Sequence, residues 1–304
     1  MKSWLVYGVI AICAVGLALF VTIAVIARGQ AHELISNPIE TRAALDASPA
    51  DFGLPYEDVT VTSEDGLRLA GWYVPTQNGA VVMAQHGHKS NRIALLEEAQ
   101  MLHDHGYGVL LTSVRAHDVS DGELISFGYH EMKDWEAWYQ FLMQQDEIDP
   151  ERIGVLGTSM GATQAIQYAA LNEDIVAVVA HSPFSSIDDT VAVSVTALTG
   201  LPAFPFAPMI LFWAEQELGF DSAEIDAKLW IDDISPRPVL ILQGGQDTVV
   251  SVGSGELLFD AAGEPRELWF EADLGHAAFD VELPEEFETR IVGFFDQYLL
   301  AETP

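Results

Sequence analysis

A serine, an aspartate and a histidine stand in that order at Ser159, Asp247 and His276, far apart along the chain. Together they are the side chains that nucleophilic acyl transfer needs, because a serine hydroxyl is a weak nucleophile until a base takes its proton and a carboxylate orients that base. Ser159 lies in Gly157-Thr158-Ser159-Met160-Gly161, a G-x-S-x-G pattern. Glycines on both sides allow a sharp turn that pushes the hydroxyl out of the fold. The preceding Ile153, Val155 and Leu156 form an apolar run, and Ala162, Ala165, Ile166 and Ala169 recur on one face of a helix. The Met160 amide then falls at a helix N-terminus, suited to a developing oxyanion. The pattern also arises by chance, and a glycine-rich turn with a capping serine is the competing reading.

The partners decide between the two. Asp247 ends LILQGGQD and His276 lies in EADLGHAAF, each just after an apolar run of strand type. Loops at the carboxyl ends of parallel strands gather on one edge of a sheet, so the three side chains can converge there. Asp247 as a helix cap and His276 as an ordinary loop histidine are the alternatives. Asp273 and Asp280 flank His276, but neither ends a strand in the Ser-Asp-His order, so they rank below Asp247. The loop Gln85-His86-Gly87-His88-Lys89-Ser90-Asn91-Arg92 is the expected source of a second oxyanion donor, the His88 N–H, with Gly87 permitting the turn. His86 and His88 alone, without cysteine or an H-E-x-x-H pattern, make a poor zinc set. No metal and no cofactor are expected.

The elements that position these residues follow from periodicity. Alternation on both sides of Glu64-Asp65-Gly66 predicts a hairpin of Glu57–Ser63 and Leu67–Pro75. Strands are predicted at Ala80–Gln85, Gly108–Ser113, Arg152–Leu156, Ile175–Ala180, Val239–Gln243 and Glu267–Glu271. Helices are predicted at Arg92–His105, Tyr129–Gln145, Met160–Asn172, Gly253–Ala262 and Glu285–Leu300. This is an α/β chain with an eight-stranded, mostly parallel sheet and helices on both faces. The segment from Ser182 to Arg237 is too long for an ordinary connection. Its apolar, proline-broken composition predicts a helical cap at about 183–236 within a domain spanning 56–301, ahead of a second transmembrane span, which Pro202, Pro205 and Pro208 disfavour.

Residues 3–27 carry no charged side chain, longer than the roughly 20 residues a helix needs to cross a bilayer. A transmembrane helix over residues 1–28 is expected, since the apolar core of a cleaved signal peptide is shorter. Lys2 and the amino terminus nearly balance Arg28, and the expected orientation is a cytoplasmic N-terminus with the domain outside. Residues 29–55, polar and interrupted by prolines, read as a tether, with a short helical pattern at Ile39–Leu45. A formal net charge of -33 argues against a nucleic-acid partner and disfavours anionic lipid headgroups. The single cysteine, Cys13, excludes an intrachain disulfide and a cysteine-based metal site.

Four ordered motifs, HGHKSNR, GTSMG, GGQD and LGHAAF, carry a resemblance. The chain resembles the α/β-hydrolases over about Tyr56 to Leu300, and is similar to a bacterial esterase-like group related to prolyl oligopeptidase-type and dienelactone hydrolase-type domains. The resemblance implies a Ser159–Asp247–His276 triad, an oxyanion loop shaped by His86 and Gly87, and a cap over the site. A fifth motif is degraded: Ser113 to Gly122 lacks the first Asp and the central Gly of D-x-R-G-H-G-x-S-x-G, which bears on local packing. The expected activity is that of a membrane-anchored serine hydrolase on a small ester or lipid-like substrate. A thioesterase, amidase or peptidase, or a non-catalytic membrane-anchored binding domain, is the alternative.

Overall fold

The computed structural model describes residues 2–301. Its centre is an eight-stranded sheet of β1 (Glu57–Thr62), β2 (Arg68–Val74), β3 (Val81–Gln85), β4 (Gly108–Thr112), β5 (Ile153–Thr158), β6 (Ala177–His181), β7 (Val239–Gly244) and β8 (Arg266–Glu271). The strand order is β1-β2-β4-β3-β5-β6-β7-β8; β2 runs antiparallel to both its neighbours, β1 and β4, and every other pair is parallel. Each predicted strand is present within two residues of its expected ends. The period of two sorts the core: Val81, Met83, Ile153 and Val155 face one apolar cluster, and Val82, Ala84 and Leu156 face the other. Gly154 of β5 faces that second cluster, where a Cβ would stand 2.7 Å from the Phe295 ring.

The helices are α1 (Lys2–Ile35), α2 (Leu96–Asp104), α3 (Met132–Leu142), α4 (Met160–Leu171), α5 (Ile187–Thr199), α6 (Ala203–Leu218), α7 (Ser254–Ala261), the short α8 (Phe279–Glu282) and α9 (Pro284–Phe295). The fully buried Trp135 and Trp138 of α3 and the alanine face of α4 cover one side of the sheet, and α2 and α9 cover the other. The segment expected as a cap is a helical hairpin, α5 and α6, followed by three 3-10 turns that lead into β7. Predicted helix 92–105 opens with a 3-10 turn, and the C-terminal helix closes with a π turn at Asp296–Leu300.

Two expectations are corrected. The N-terminal helix does not end near Arg28 but continues to Ile35, and Ala27, Ala31 and Ile35 are fully buried against the body. The expected tether is a strap fastened to the surface rather than a free linker. Asn37 Nδ2 donates to Ala116 O at 2.7 Å, and the Arg42 guanidinium donates to the carbonyls of Asp118, Ser120 and Gly122. Prolines and polar side chains suit a spacer and a surface strap equally, so composition alone misled. The helical pattern at Ile39–Leu45 amounts to a single 3-10 turn, Ile39–Thr41.

The loop with the degraded motif is nevertheless tightly held. Ala116 (φ 60°) and Asp118 (φ 52°) adopt left-handed backbone, where a non-glycine residue is strained. Arg92 offsets the strain: its Nε lies 2.5 Å from Asp118 Oδ2, both side chains are buried, and its guanidinium stacks on Trp72. On the far side, the Arg115 guanidinium joins Asp134 and Asp65 through five hydrogen bonds.

Candidate active site

Ser159 joins β5 to α4 with φ 57° and ψ -117°, a conformation non-glycine residues rarely adopt. The flanking glycines are required by close approach. A Cβ on Gly157 would lie 2.2 Å from Gly161 O, and one on Gly161 would lie 2.3 Å from Gln85 O. The strand end, the oxyanion loop and the start of α4 therefore pack backbone to backbone, and the serine side chain projects into the cavity beside them.

Three loops bring the predicted side chains together. His276 Nε2 lies 2.9 Å from Ser159 Oγ, and His276 Nδ1 lies 2.6 Å from Asp247 Oδ2. The other Asp247 oxygen accepts the N–H groups of Val249 and Val250, each at 2.8 Å. Asp247 thus ties its own loop and meets the imidazole at once; it does not cap α7, which starts at Ser254. The paired glycines before it have a physical role. A Cβ on Gly244 would stand 2.5 Å from Leu274 O, and one on Gly245 would stand 2.7 Å from Ala272 O, so only glycine lets this loop lie against the loop of His276.

The Asp247 carboxyl is fully buried, which by itself would raise its pKa. The His276 hydrogen bond and charge, with the two amides, outweigh burial and hold it below the ordinary carboxylate value. Asp273 and Asp280 make no bond to His276 among the described residues. Asp280 instead lies near the buried Glu98, whose carboxyl is pushed up to about 8 by burial and by the Asp280 charge.

The expected oxyanion loop also sits beside the serine. A Cβ on Gly87 would be 3.3 Å from Ser159 Cβ. The N–H groups of His88 and Met160 meet no protein acceptor among the described residues. The His88 ring stacks on Phe127, and its Nε2 donates to Leu34 O at 2.8 Å. His86 Nδ1 bonds Gly87 O, and its ring lies against His117. The two rings are engaged in different directions and do not converge on a common point.

An apolar cavity of about 360 Å³ opens beside Ser159. Its floor is Met160 and Phe184, one wall is Ile187, Val191 and Val195 of α5, and another is Leu34 of α1. That contribution from α1 was missed by sequence reading, which ended the helix before it. His181 was missed too. It is fully buried behind the triad, edge-on to Phe279, with both ring nitrogens unpartnered among the described residues. The next residue, Ser182, accepts the Ala277 N–H at 3.0 Å and so holds the loop of His276. Neither carries a local signal beyond its place at a strand end.

Four buried histidines have a measurable consequence. Burial, followed by neighbouring groups, lowers His86 and His88 from 6.5 to about 4, His181 to about 3, and His117 well below its ordinary value. Below about pH 6.5 the unfolded chain takes up protons that these sites refuse, so stability falls as the pH drops towards about 4. Glu98 works the other way: its raised pKa adds stability that is fully present below 4.5 and is lost as the pH rises through about 8. Asp134, raised to about 6, and the raised Asp188 and Asp280 act in the same sense as Glu98. The four imidazoles, joined by the lowered His130, differ from the unfolded chain from pH 6.5 downwards, so Tm is expected to decrease from pH 6.5 to about 4.5 in calorimetry. A flat or rising Tm would show that the raised carboxyls, Glu98 and Asp134 foremost, balance or outweigh the imidazoles.

Comparison with known proteins agrees with this fold. The sequence profile of the X-Pro dipeptidyl-peptidase (S15) family matches residues 56–209. An uncharacterized protein of Mycobacterium tuberculosis strain H37Rv is 29% identical over 274 residues, covering 89% of this chain and 87% of its own. A second, from strain CDC 1551, is 31% identical over 222 residues, 72% of each chain. Among solved structures, an esterase of Pyrococcus furiosus superposes with a TM-score of 0.73 at 27% identity, covering 85% of this chain and 98% of its own. An acylaminoacyl peptidase, at 16% identity and a TM-score of 0.65, shares the fold over 83% of this chain and 43% of its own. The chain is therefore a hydrolase of the α/β fold and belongs to the X-Pro dipeptidyl-peptidase (S15) family.

Proposed function

We propose that the protein is a membrane-anchored serine hydrolase that cleaves carboxylic esters. The observation that carries the reading is the unbroken relay from Ser159 Oγ through His276 to Asp247, at 2.9 and 2.6 Å, beside an apolar cavity. Ser159 Oγ attacks the ester carbonyl carbon while His276 Nε2 takes its proton. The His88 and Met160 amides hold the oxyanion. Collapse of the tetrahedral intermediate breaks the bond to the alcohol, which leaves with the proton from His276. Water then adds to the acyl-serine, giving its proton to His276, and the carboxylic acid departs as the serine is reprotonated.

An ester is favoured over an X-Pro peptide by the walls of the cavity. Release of an N-terminal dipeptide calls for a carboxylate that meets the substrate ammonium. The cavity carboxylate, Glu33, is already paired with Lys89 at 3.4 Å. The likeness to the Pyrococcus esterase points the same way. A thioester or amide would meet the same relay. Retention of the N-terminal helix is supported by its burial against the body at Ala27, Ala31 and Ile35, which a cleaved leader would forfeit. We place its N-terminus in the cytoplasm and the hydrolase domain outside.

A fluorophosphonate probe is expected to label the wild-type protein at Ser159, and the same preparation should hydrolyse p-nitrophenyl esters in preference to Gly-Pro-p-nitroanilide. Labelling with faster anilide cleavage would reassign it as a peptidase; no labelling would end the serine mechanism.

A further inference from the structure

The two longest runs without Asp, Glu, Lys or Arg are residues 3–27 and 190–214, in a chain with 46 acidic residues. The fold sets them side by side. The Arg28 guanidinium lies 5.3 Å from the Trp213 ring, and four residues further on each helix His32 Nδ1 meets Glu217 Oε1 at 2.9 Å. An equal advance on both partners means that α1 and α6 run parallel and in step.

Their charge patterns are in step as well. Both helices turn from apolar to charged at one height: after Ala27 and Arg28 on α1, with Glu33 following, and after Ala214 on α6, with Glu215 and Glu217 following. The Arg28–Trp213 pair marks that level with the two residue types that anchor helices at a bilayer surface. If the apolar part of α1 lies in lipid, the first two turns of α6 and the end of α5 lie below that level. From Trp213 down to Phe206 is on the order of 10 Å of helix. The surface there suits lipid: Leu198 is 76% exposed, Phe204 81% and Phe212 51%.

The cavity connects this tip to the serine. Ile187, Val191, Val195 and Leu198 form one stripe along α5, about 16 Å long, from beside Ser159 to the tip. Leu198 lines the cavity and is also exposed at the tip. We propose that the cap hairpin dips into the same leaflet that α1 enters, and that the substrate is a long-chain ester drawn tail first from that leaflet to Ser159. The proposal rests on the serine-ester reading above. The acidic surface selects for an uncharged or zwitterionic lipid rather than an anionic one.

The test uses the full-length protein in phosphatidylcholine vesicles. In a Cys13→Ser background, Phe204→Cys carrying an NBD fluorophore should emit in the blue-shifted range and be quenched by nitroxide-labelled phosphatidylcholine. Water-like, unquenched emission overturns the proposal, as does a blue shift that depends on protein density instead of lipid, which would mean that a second copy covers the tip. Phe204→Asp should cut turnover of p-nitrophenyl palmitate carried in the vesicles about tenfold, and leave that of dissolved p-nitrophenyl butyrate within about twofold. Phe204→Trp should restore the palmitate rate. Equal losses on both esters, or none on either, would overturn the membrane entry. Butyrate hydrolysis that survives Ser159→Ala would instead sink the serine reading beneath it.

Discussion

Ser159→Ala should lower kcat for p-nitrophenyl butyrate by about 10⁶-fold and leave the protein folded. The effect is large because the hydroxyl is the only atom of the relay that bonds to substrate. With it gone, His276 has no proton to take and Asp247 no imidazolium to stabilise, so the three contributions vanish together. On the proposed mechanism, what should remain is attack by water at a carbonyl held by the His88 and Met160 amides, which predicts a residual rate above solution. Folding should be spared, since the Ser159 side chain bonds His276 and nothing else among the described residues, while its backbone bonds, to His181 O and from Thr163 N, survive the change. Activity and Tm measured on one preparation check both halves. A kcat within tenfold of wild type would remove Ser159 from the chemistry.

Asp247→Asn should cost about 10⁴-fold in kcat, with a smaller change in KM. The amide oxygen can still accept from Val249 and Val250, so the loop stays tied. Its NH₂ must then face His276 Nδ1, where the carboxylate had accepted a proton. Imidazole responds by carrying its proton on Nε2, aimed at Ser159 Oγ, and a protonated nitrogen cannot act as base. The wild-type carboxyl is held below its ordinary pKa, so it stays ionised throughout a neutral assay and the comparison is between one charge state and none. Fluorophosphonate labelling should slow in proportion to kcat. Unchanged labelling would mean that the orientation of His276 is set elsewhere, with the loop tie of Ser182 to Ala277 the alternative.

Much of the site was legible because its requirements are local. The glycines at positions 157 and 161 answer to steric collisions within a five-residue turn. The strands that carry Asp247 and His276 announce themselves by short apolar runs. Gly244 and Gly245 were visible in the sequence, but their purpose, the near contact with Leu274 and Ala272, needed the fold. His181 shows the limit: one of nine histidines, at a strand end like His86, it is separated from a surface residue only by the Phe279 and Phe287 rings that enclose it.

By itself the amino-acid sequence determined the α/β alternation, the turn that presents Ser159, the order of its partners and an apolar N-terminal helix, because each depends on residues within a few positions of one another. Tertiary structure alone decided that residues 36–55 strap the body, that α1 runs on to Leu34 as a wall of the cavity, and that α1 and α6 change from apolar to charged at one level. Those facts depend on which faces meet and in what register, and close packing settles that between segments nearly two hundred residues apart.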